Sequence, residues 1–514
     1  MSLLRRKSVE QSIRDTEQPE HQLRKVLSGL DLTVFGIGVI IGTGIFVLTG
    51  VAANQTAGPA VALSFVVAGI ACALAALCYA EFASTVPVAG SAYTYSYAAL
   101  GELVAWIIGW DLILEFILAG ATVAVGWSQY LAVLLETLGV SLPAAITGGD
   151  GSAFNLPATL IVLILTAVLV AGIKVSSRVN AVVVAIKVAV VLLVIIAGLF
   201  FLKRDNYTPF VPPAEPAAGG SGAEATLMEA IFGQAPANFG ISGIFAAAAL
   251  VFFAFIGFDI VATAAEETRV PQRDVPRGIL GSLAVCTALY VAVSLVVVGM
   301  QNYADLDTEA PLAAAFQAVD QPLFANLITV GALAGLTTVV MILMLGQSRV
   351  AFAMSRDGLL PRWLSRVHPR YGTPHRITII IGLLVAALAG FIPLEELAEL
   401  VNIGTLFAFV LVAAAVILLR RRRPDLPRGF RVPWGPVIPV LAIVACVVLM
   451  AFLTVETWLR FLAWMALGFV VYFLYSRRHS RLATGGGEGP AMPGPEGDLD
   501  TGFGSASPPP HRDS

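Results

Sequence analysis

Charge is scarce in this chain. Of its 514 residues only 13% are Asp, Glu, Lys or Arg, while 57% are hydrophobic. Soluble globular domains carry about 25% charged residues, so this composition excludes a water-soluble globular protein. Cysteine is nearly missing too. Cys72, Cys78, Cys286 and Cys446 fall in apolar runs without metal-ligand spacing, and they read as small buried hydrophobes. The five histidines, His21, His368, His375, His479 and His511, all lie outside those runs, which removes the usual proton-relay residue from membrane depth. No HExxH, GxSxG or phosphate loop occurs, so the chain does not read as an enzyme. Neither a cofactor, a resident metal nor a nucleic-acid partner is implied. A cleavable leader is not expected, because the first 30 residues are polar and the first apolar run is long enough to stay in a membrane.

What fills the chain is long apolar runs. Twelve recur, at about 31–53, 60–84, 101–133, 156–173, 179–202, 241–264, 279–299, 323–347, 377–392, 397–419, 436–453 and 458–475. Each can cross about 30 Å of hydrocarbon as a helix. Barrel strands would read as ten-residue alternating segments, which these are not. The fold class is therefore an all-α polytopic membrane protein with twelve transmembrane helices.

The few charges are segregated. With a cytoplasmic N-terminus, Arg5, Arg6, Lys7, Arg14, Arg24, Lys25, Lys174 and Arg178 all lie inside. So do Arg269, Arg273, Arg277, Arg349, Arg356, Arg362, Arg366, Arg370, Arg376, the run 420–423, Arg428, Arg431, Arg477, Arg478 and Arg481. The other side keeps Lys203, Arg204 and Arg460. Twelve spans and this bias agree on a multi-pass protein with both termini cytoplasmic. The basic loops either follow that topology rule alone or also touch anionic membrane lipids. Residues 1–30 read as a polar cytoplasmic segment, 31–475 as the membrane domain and 476–514 as a cytoplasmic disordered tail. The longest external loop, 203–240, is rich in Pro, Gly and Ala.

One run is odd. GIGVIIGTGIFVLTG, residues 36–50, is apolar enough to span yet holds Gly36, Gly38, Gly42, Gly44 and Gly50. Small residues let membrane helices pack closely. They also tolerate an unwound backbone, which survives in lipid only beside a cavity or ligand. If the run opens around 40–44, carbonyls are freed on one side and the amides of Thr43, Gly44 and Ile45 on the other. The amide end suits a carboxylate and the carbonyl end an ammonium. A second breakable run, FFAFIGFDIVATAAEE at 252–267, sets Gly257 beside Asp259. Two interrupted helices at matching places in two halves point to an inverted-repeat transporter.

These residues carry a resemblance. Residues 36–50 look like the first-helix signature of amino acid permeases of the amino acid–polyamine–organocation superfamily. Residues 87–116 and 240–279 resemble its cationic amino acid transporter branch. The likeness spans about 25–475. It implies a leucine-transporter-like fold of two inverted five-helix repeats, about 31–202 and 241–419, with extra helices at 436–475. It also implies a substrate carboxylate on Thr43 and Gly44 and an amine on carbonyls near Ile40, Phe253, Ala254 and Ile256, with Phe253 covering the site.

Intramembrane charges are costly and usually functional. Four stand out: Asp111, Glu115, Lys187 and Asp259. Lys187 lies about eight residues into its span, roughly 12 Å from that helix's start. It either snorkels back to the interface or donates to carbonyls freed in the first span. By resemblance it replaces the sodium of sodium-coupled relatives, and it then either carries a proton or serves as a fixed cation. Glu115 shares a helix face with Asp111 and faces the substrate side chain, pairs with Lys187 or holds helices together. Asp259 is set to satisfy the backbone at the sixth-span break. Glu266, Glu267, Arg269, Arg273 and Arg277 read as a solvated hinge.

The function that emerges is secondary active transport of α-amino acids across the cell membrane, as proton symport with alternating access. The alternatives are exchange through the same site or a non-transporting sensor. A channel would need a regular polar stripe, which no span carries. The motifs leave cationic and small neutral substrates both open, because backbone reads the α-groups.

Overall fold

A computed structural model describes residues 27–480, apart from 86–91, 94–95, 98–100, 149–153, 173–176, 217–221, 234–236, 266–267 and 427. The expected polar segment before 27, the tail beyond 480, Lys174, Glu266 and Glu267 lie outside the described residues. The principal helices are α1 (Gly29–Ile40), α2 (Val61–Thr85), α3 (Glu102–Thr137) and α4 (Leu156–Val170). They continue as α5 (Ser177–Gly198), α6 (Gly240–Val251), α7 (Pro271–Met300) and α8 (Pro322–Arg356). The last four are α9 (His375–Phe391), α10 (Leu394–Arg422), α11 (Val437–Ala451) and α12 (Val455–Val471). Among the described residues eight helical runs are long and apolar enough to cross a membrane, and α1, α4, α9 and α11 are shorter apolar helices.

Local chemistry sets the starts. Ser28 and Asp31 form a capping box at α1. Asn155 caps α4 by accepting the Ala158 N–H at 3.0 Å, and Pro271 and Pro322 open α7 and α8, where a missing N–H costs nothing. Beyond α1 the chain runs through a π-helical stretch (Gly44–Leu48), a short α-turn (Thr49–Ala52) and a second π-stretch (Ala53–Ala57). It then turns a corner at Gly58, whose φ of +60° an L side chain rarely adopts. One expectation is corrected at α7. Arg273 and Arg277 lie in its first two turns rather than in a loop hinge, because Pro271 starts the helix eight residues before the apolar run. Their side chains are nonetheless exposed.

Helix partners recur at an offset of five: α2 packs on α7, α3 on α8 and α4 on α9. Besides these, α1 packs on α7, and α3 on α10. The last helix is clamped to α3 by indoles. Trp106 Nε1 donates to the Gly468 carbonyl and Trp110 Nε1 to that of Trp464, both at 3.0 Å, and Trp464 Nε1 donates back to Trp110 at 3.3 Å. The 203–240 segment is not bare loop: the Leu227 N–H donates to Leu453 at 2.9 Å and the Val455 N–H to Ala225 at 2.9 Å, laying it against the α11–α12 turn.

At the arginine-bearing end, buried Glu81 of α2 pairs bidentately with Arg420 of α10 and accepts the Val432 N–H at 2.7 Å. Removing one partner of a buried pair strands the other charge. Glu81→Ala is therefore expected to cost about 3 kcal/mol, read as a lower melting temperature of the purified protein against Glu81→Gln as the milder change.

Candidate functional site

α1 ends where the glycines predicted. Its last turn closes with the Ile41 N–H on the Ile37 carbonyl at 3.0 Å, and Ile41 itself is extended (φ −71°, ψ 98°). Helix resumes with the Ile45 and Phe46 N–H groups both donating to Gly42, at 3.3 and 3.4 Å. This corrects one expectation. The Ile45 amide is taken by the restarting turn, and the amides left without a backbone acceptor among the described residues are those of Gly42, Thr43 and Gly44.

The carbonyl end is more occupied than sequence suggested. Lys187 Nζ donates to Gly38 at 2.6 Å and the Tyr290 hydroxyl donates to Ile40 at 2.7 Å. Ile40 was expected to be open for an ammonium. With Tyr290 on it, the carbonyls at this break with no donor among the described residues are those of Val39 and Ile41. Nothing near Tyr290 in sequence flags that role, since the contact spans 250 residues. Losing the hydroxyl would leave a buried acceptor unpaired, worth about 1–1.4 kcal/mol. Tyr290→Phe is thus expected to weaken substrate binding about fivefold to tenfold, measured by substrate-dependent shifts in melting temperature.

A second break crosses the first. After α6 the chain tightens into a 3₁₀ turn (Phe252–Phe255), turns at Gly257 with φ +115°, and re-forms helix only at Ile260–Thr263. Asn402 of α10 holds the α6 end by donating to the Ala249 and Leu250 carbonyls at 2.8 and 2.9 Å. The Phe253 carbonyl accepts the Ile256 N–H at 3.2 Å, leaving those of Ala254 and Ile256 without a backbone donor among the described residues. The two breaks touch. A Cβ on Gly44 would fall against the Ala254 backbone, 2.8 Å from its nitrogen, and one on Gly257 would fall 2.6 Å from Val39 Cγ1.

Between the breaks lies a buried hollow lined by Ile40, Thr43, Gly44, Phe253 and Ile256 of the expected set. Val39 and Gly42 add backbone, and Ala119, Val123, Val339 and Leu343 add apolar walls from α3 and α8. Those four carry no sequence signal, being aliphatic residues in aliphatic helices. Ala254 is not a wall of the hollow; it seats Gly44. Thr43 is wholly buried, and its Oγ1 has no hydrogen-bond partner. Gly126 of α3 leaves room for it, since a Cβ there would meet that oxygen at 2.8 Å. Room for the centres of water-sized molecules amounts to about 20 Å³, little more than the 10–15 Å³ that one water needs. The breaks must part before a larger ligand fits.

Lys187 is completely buried and does not snorkel. Gly335 of α8 makes way for its stem, with a notional Cβ there 2.9 Å from Lys187 Cε. Glu115 neither lines the hollow nor pairs with Lys187. It lies one turn from Ala119, within electrostatic reach of Asp111 and Asp259 and beside Thr405. All three carboxylates are buried, and both oxygens of Asp111 and Glu115 and Oδ1 of Asp259 lack hydrogen-bond partners. Asp259 stands at the N-cap position of the re-formed helix, but its side chain makes no capping hydrogen bond there. No group of three metal-binding side chains occurs among the described residues.

Membrane-length apolar helices packed in one bundle, two of the runs broken beside a buried hollow, define a polytopic membrane protein. The chain belongs to the amino acid permease family, whose sequence profile matches residues 27–475. It is 50% identical over 488 residues to the branched-chain amino acid permease BcaP of Bacillus subtilis, covering 94% of this chain and 99% of that one. It is 47% identical over 485 residues to the methylthioribose transporter of the same organism, with the same coverage. To the vacuolar cationic amino acid transporter 4 of Arabidopsis thaliana it is 40% identical over 427 residues, 82% of this chain and 68% of that protein. The resemblance read from residues 36–50, 87–116 and 240–279 is thereby shown.

Proposed function

We propose that this chain is a secondary active transporter of α-amino acids, working by alternating access around the hollow between the two breaks. The observation that carries this is that, among the described residues, the amides of Gly42, Thr43 and Gly44 and the carbonyls of Val39 and Ile256 have no backbone partner, and all five residues line the one hollow. A zwitterion supplies a carboxylate for the first set and an ammonium for the second. The breaks in the first and sixth spans, and the offset-of-five helix pairing, support two inverted five-helix repeats, about 31–202 and 241–419. On that reading α11 and α12 are additions, twelve helices span the membrane, and both termini face the cytoplasm of a cell whose plasma membrane holds the protein. The arginine bias supports that orientation.

The substrate side chain is neutral on this reading. Ala119, Val123, Ile256, Val339 and Leu343 form an apolar wall, and a cationic side chain there would be desolvated without a partner. The permease BcaP, named for branched-chain substrates, is a relative consistent with that choice. Methylthioribose, the substrate in the name of another relative, has neither charged α-group and would leave both ends of the break unpaired. We assign proton coupling to Lys187 and the carboxylates Glu115, Asp111 and Asp259, the ionisable groups at membrane depth.

The test is uptake into empty proteoliposomes. Alanine and leucine should accumulate when the outside is acidic and should not require sodium, whereas arginine and methylthioribose should not compete. Uptake that needs internal amino acid would make the chain an exchanger. Binding without any flux would make it a sensor, and saturable methylthioribose flux without amino acid flux would overturn the substrate assignment.

A further inference from the structure

Arginines at the basic end of the bundle are not all alike. Arg420 and Arg428 are matched by Glu81, and Arg423 by Asp425. In the corner between α8 and α9 the situation differs. Arg356, Arg362, Arg366 and Arg370 are exposed, and none of them makes an ion pair among the described residues. The one acid of that corner, Asp357, is buried and accepts the Tyr93 hydroxyl at 2.8 Å.

Folding then brings a second basic segment to the same place. Ser476 Oγ donates to the Leu359 carbonyl at 2.6 Å, and the His479 backbone closes over Gly358, so the exposed pair Arg477 and Arg478 is pinned beside the corner. Apolar side chains point outward among these charges. Trp363, Val367 and Tyr371 are 51%, 50% and 43% exposed. The Arg376 guanidinium lies 5.8 Å from the Trp363 ring centroid and that of Arg370 5.8 Å from Tyr371. The topology rule accounts for arginines at this end, but it does not ask for an outward indole, phenol and isopropyl group between them. That mixture suits the boundary of a bilayer, where rings sink to the headgroup level and guanidinium forks meet phosphate oxygens.

We propose that the α8–α9 corner and the Arg477–Arg478 turn together form a docking surface for the headgroups of anionic phospholipids. The aromatic side chains set its depth and the unpaired arginines hold the phosphates. The surface is separate from the central hollow and does not depend on what that hollow binds.

The full chain in nanodiscs provides the test, with acyl-brominated lipids that quench nearby tryptophan. The Trp363 signal is isolated as the difference from Trp363→Phe. Brominated phosphatidylglycerol should quench it at a mole fraction at least tenfold lower than brominated phosphatidylcholine does. Each basic side chain near an anionic surface contributes roughly fivefold, so Arg362→Gln, Arg366→Gln and Arg370→Gln together should erase the preference. Arg421→Gln, Arg422→Gln and Arg423→Gln, which remove the same charge elsewhere at that end, should leave it within about twofold. Should the triple variant in the corner not fold, Arg366→Gln alone should reduce the preference about fivefold. Equal quenching by the two lipids, or an equal loss in the control triple variant, would overturn the proposal. So would displacement of phosphatidylglycerol by millimolar inorganic phosphate, which would mark a site for a soluble anion.

Discussion

Gly44→Ala is expected to abolish amino acid uptake, by more than a hundredfold, while leaving a protein that still inserts and purifies. The added methyl has nowhere to go. It would meet the Cα, Cβ and nitrogen of Ala254, two of them backbone atoms, so no rotamer change relieves the clash. The breaks would be wedged apart, and the backbone of Gly42, Thr43 and Gly44 would lose its place against the second break. Interior groups are packed at near-crystalline density, and displacements of an ångström are not absorbed locally. Mispositioning of that size costs about a hundredfold in sites that depend on alignment. The check pairs proteoliposome uptake with substrate-dependent melting shifts. Gly346→Ala, at a position in α8 with nothing within 4 Å, serves as the control that should keep near-normal activity.

Lys187→Met should produce the second large effect, and one of a different kind. The ammonium is held by the Gly38 carbonyl and threads past Gly335 without reaching solvent. Methionine approximates the stem's bulk and removes the charge, leaving the Gly38 carbonyl without its donor at the end of α1. Loss of a charge-assisted bond of this sort is worth about 1.5–3 kcal/mol, and here it also removes the cation nearest the break. Accumulation driven by an acidic exterior is expected to fall at least tenfold and its dependence on external pH to flatten. Substrate-dependent melting shifts should persist. Accumulation at the wild-type level with unchanged pH dependence would show that Lys187 has no part in coupling.

The sequence made the first break legible because five glycines in fifteen residues are hard to reconcile with a helix that only has to be stable. It located the break to within two residues. Lys187 was legible because a lone charge in an apolar run has few places to go. Tyr290 and Asn402 were not, although they hold the two breaks open. A tyrosine or asparagine in a membrane helix has many uses, and only three dimensions bring Tyr290 to Ile40 or Asn402 to Ala249. The same limit explains Ile40. Its carbonyl is freed by the break, as expected from the chain, but whether a freed group stays open depends on a neighbour 250 positions away. Glu115 was legible only as a buried charge with three possible roles, and three dimensions set it beside Asp111, Asp259 and Thr405 rather than Lys187.

The tightness of the central hollow bears on how affinity will be measured. A form with room for little more than a water must expand to take a larger ligand, and part of each binding event is spent on that expansion. If the expanded form makes up about one molecule in a hundred, the observed dissociation constant is about a hundredfold weaker than the contacts alone would give. Changes far from the hollow that ease that expansion would then tighten binding with every contact residue intact, and a weak measured affinity would say little about how well the amino acid is held once inside.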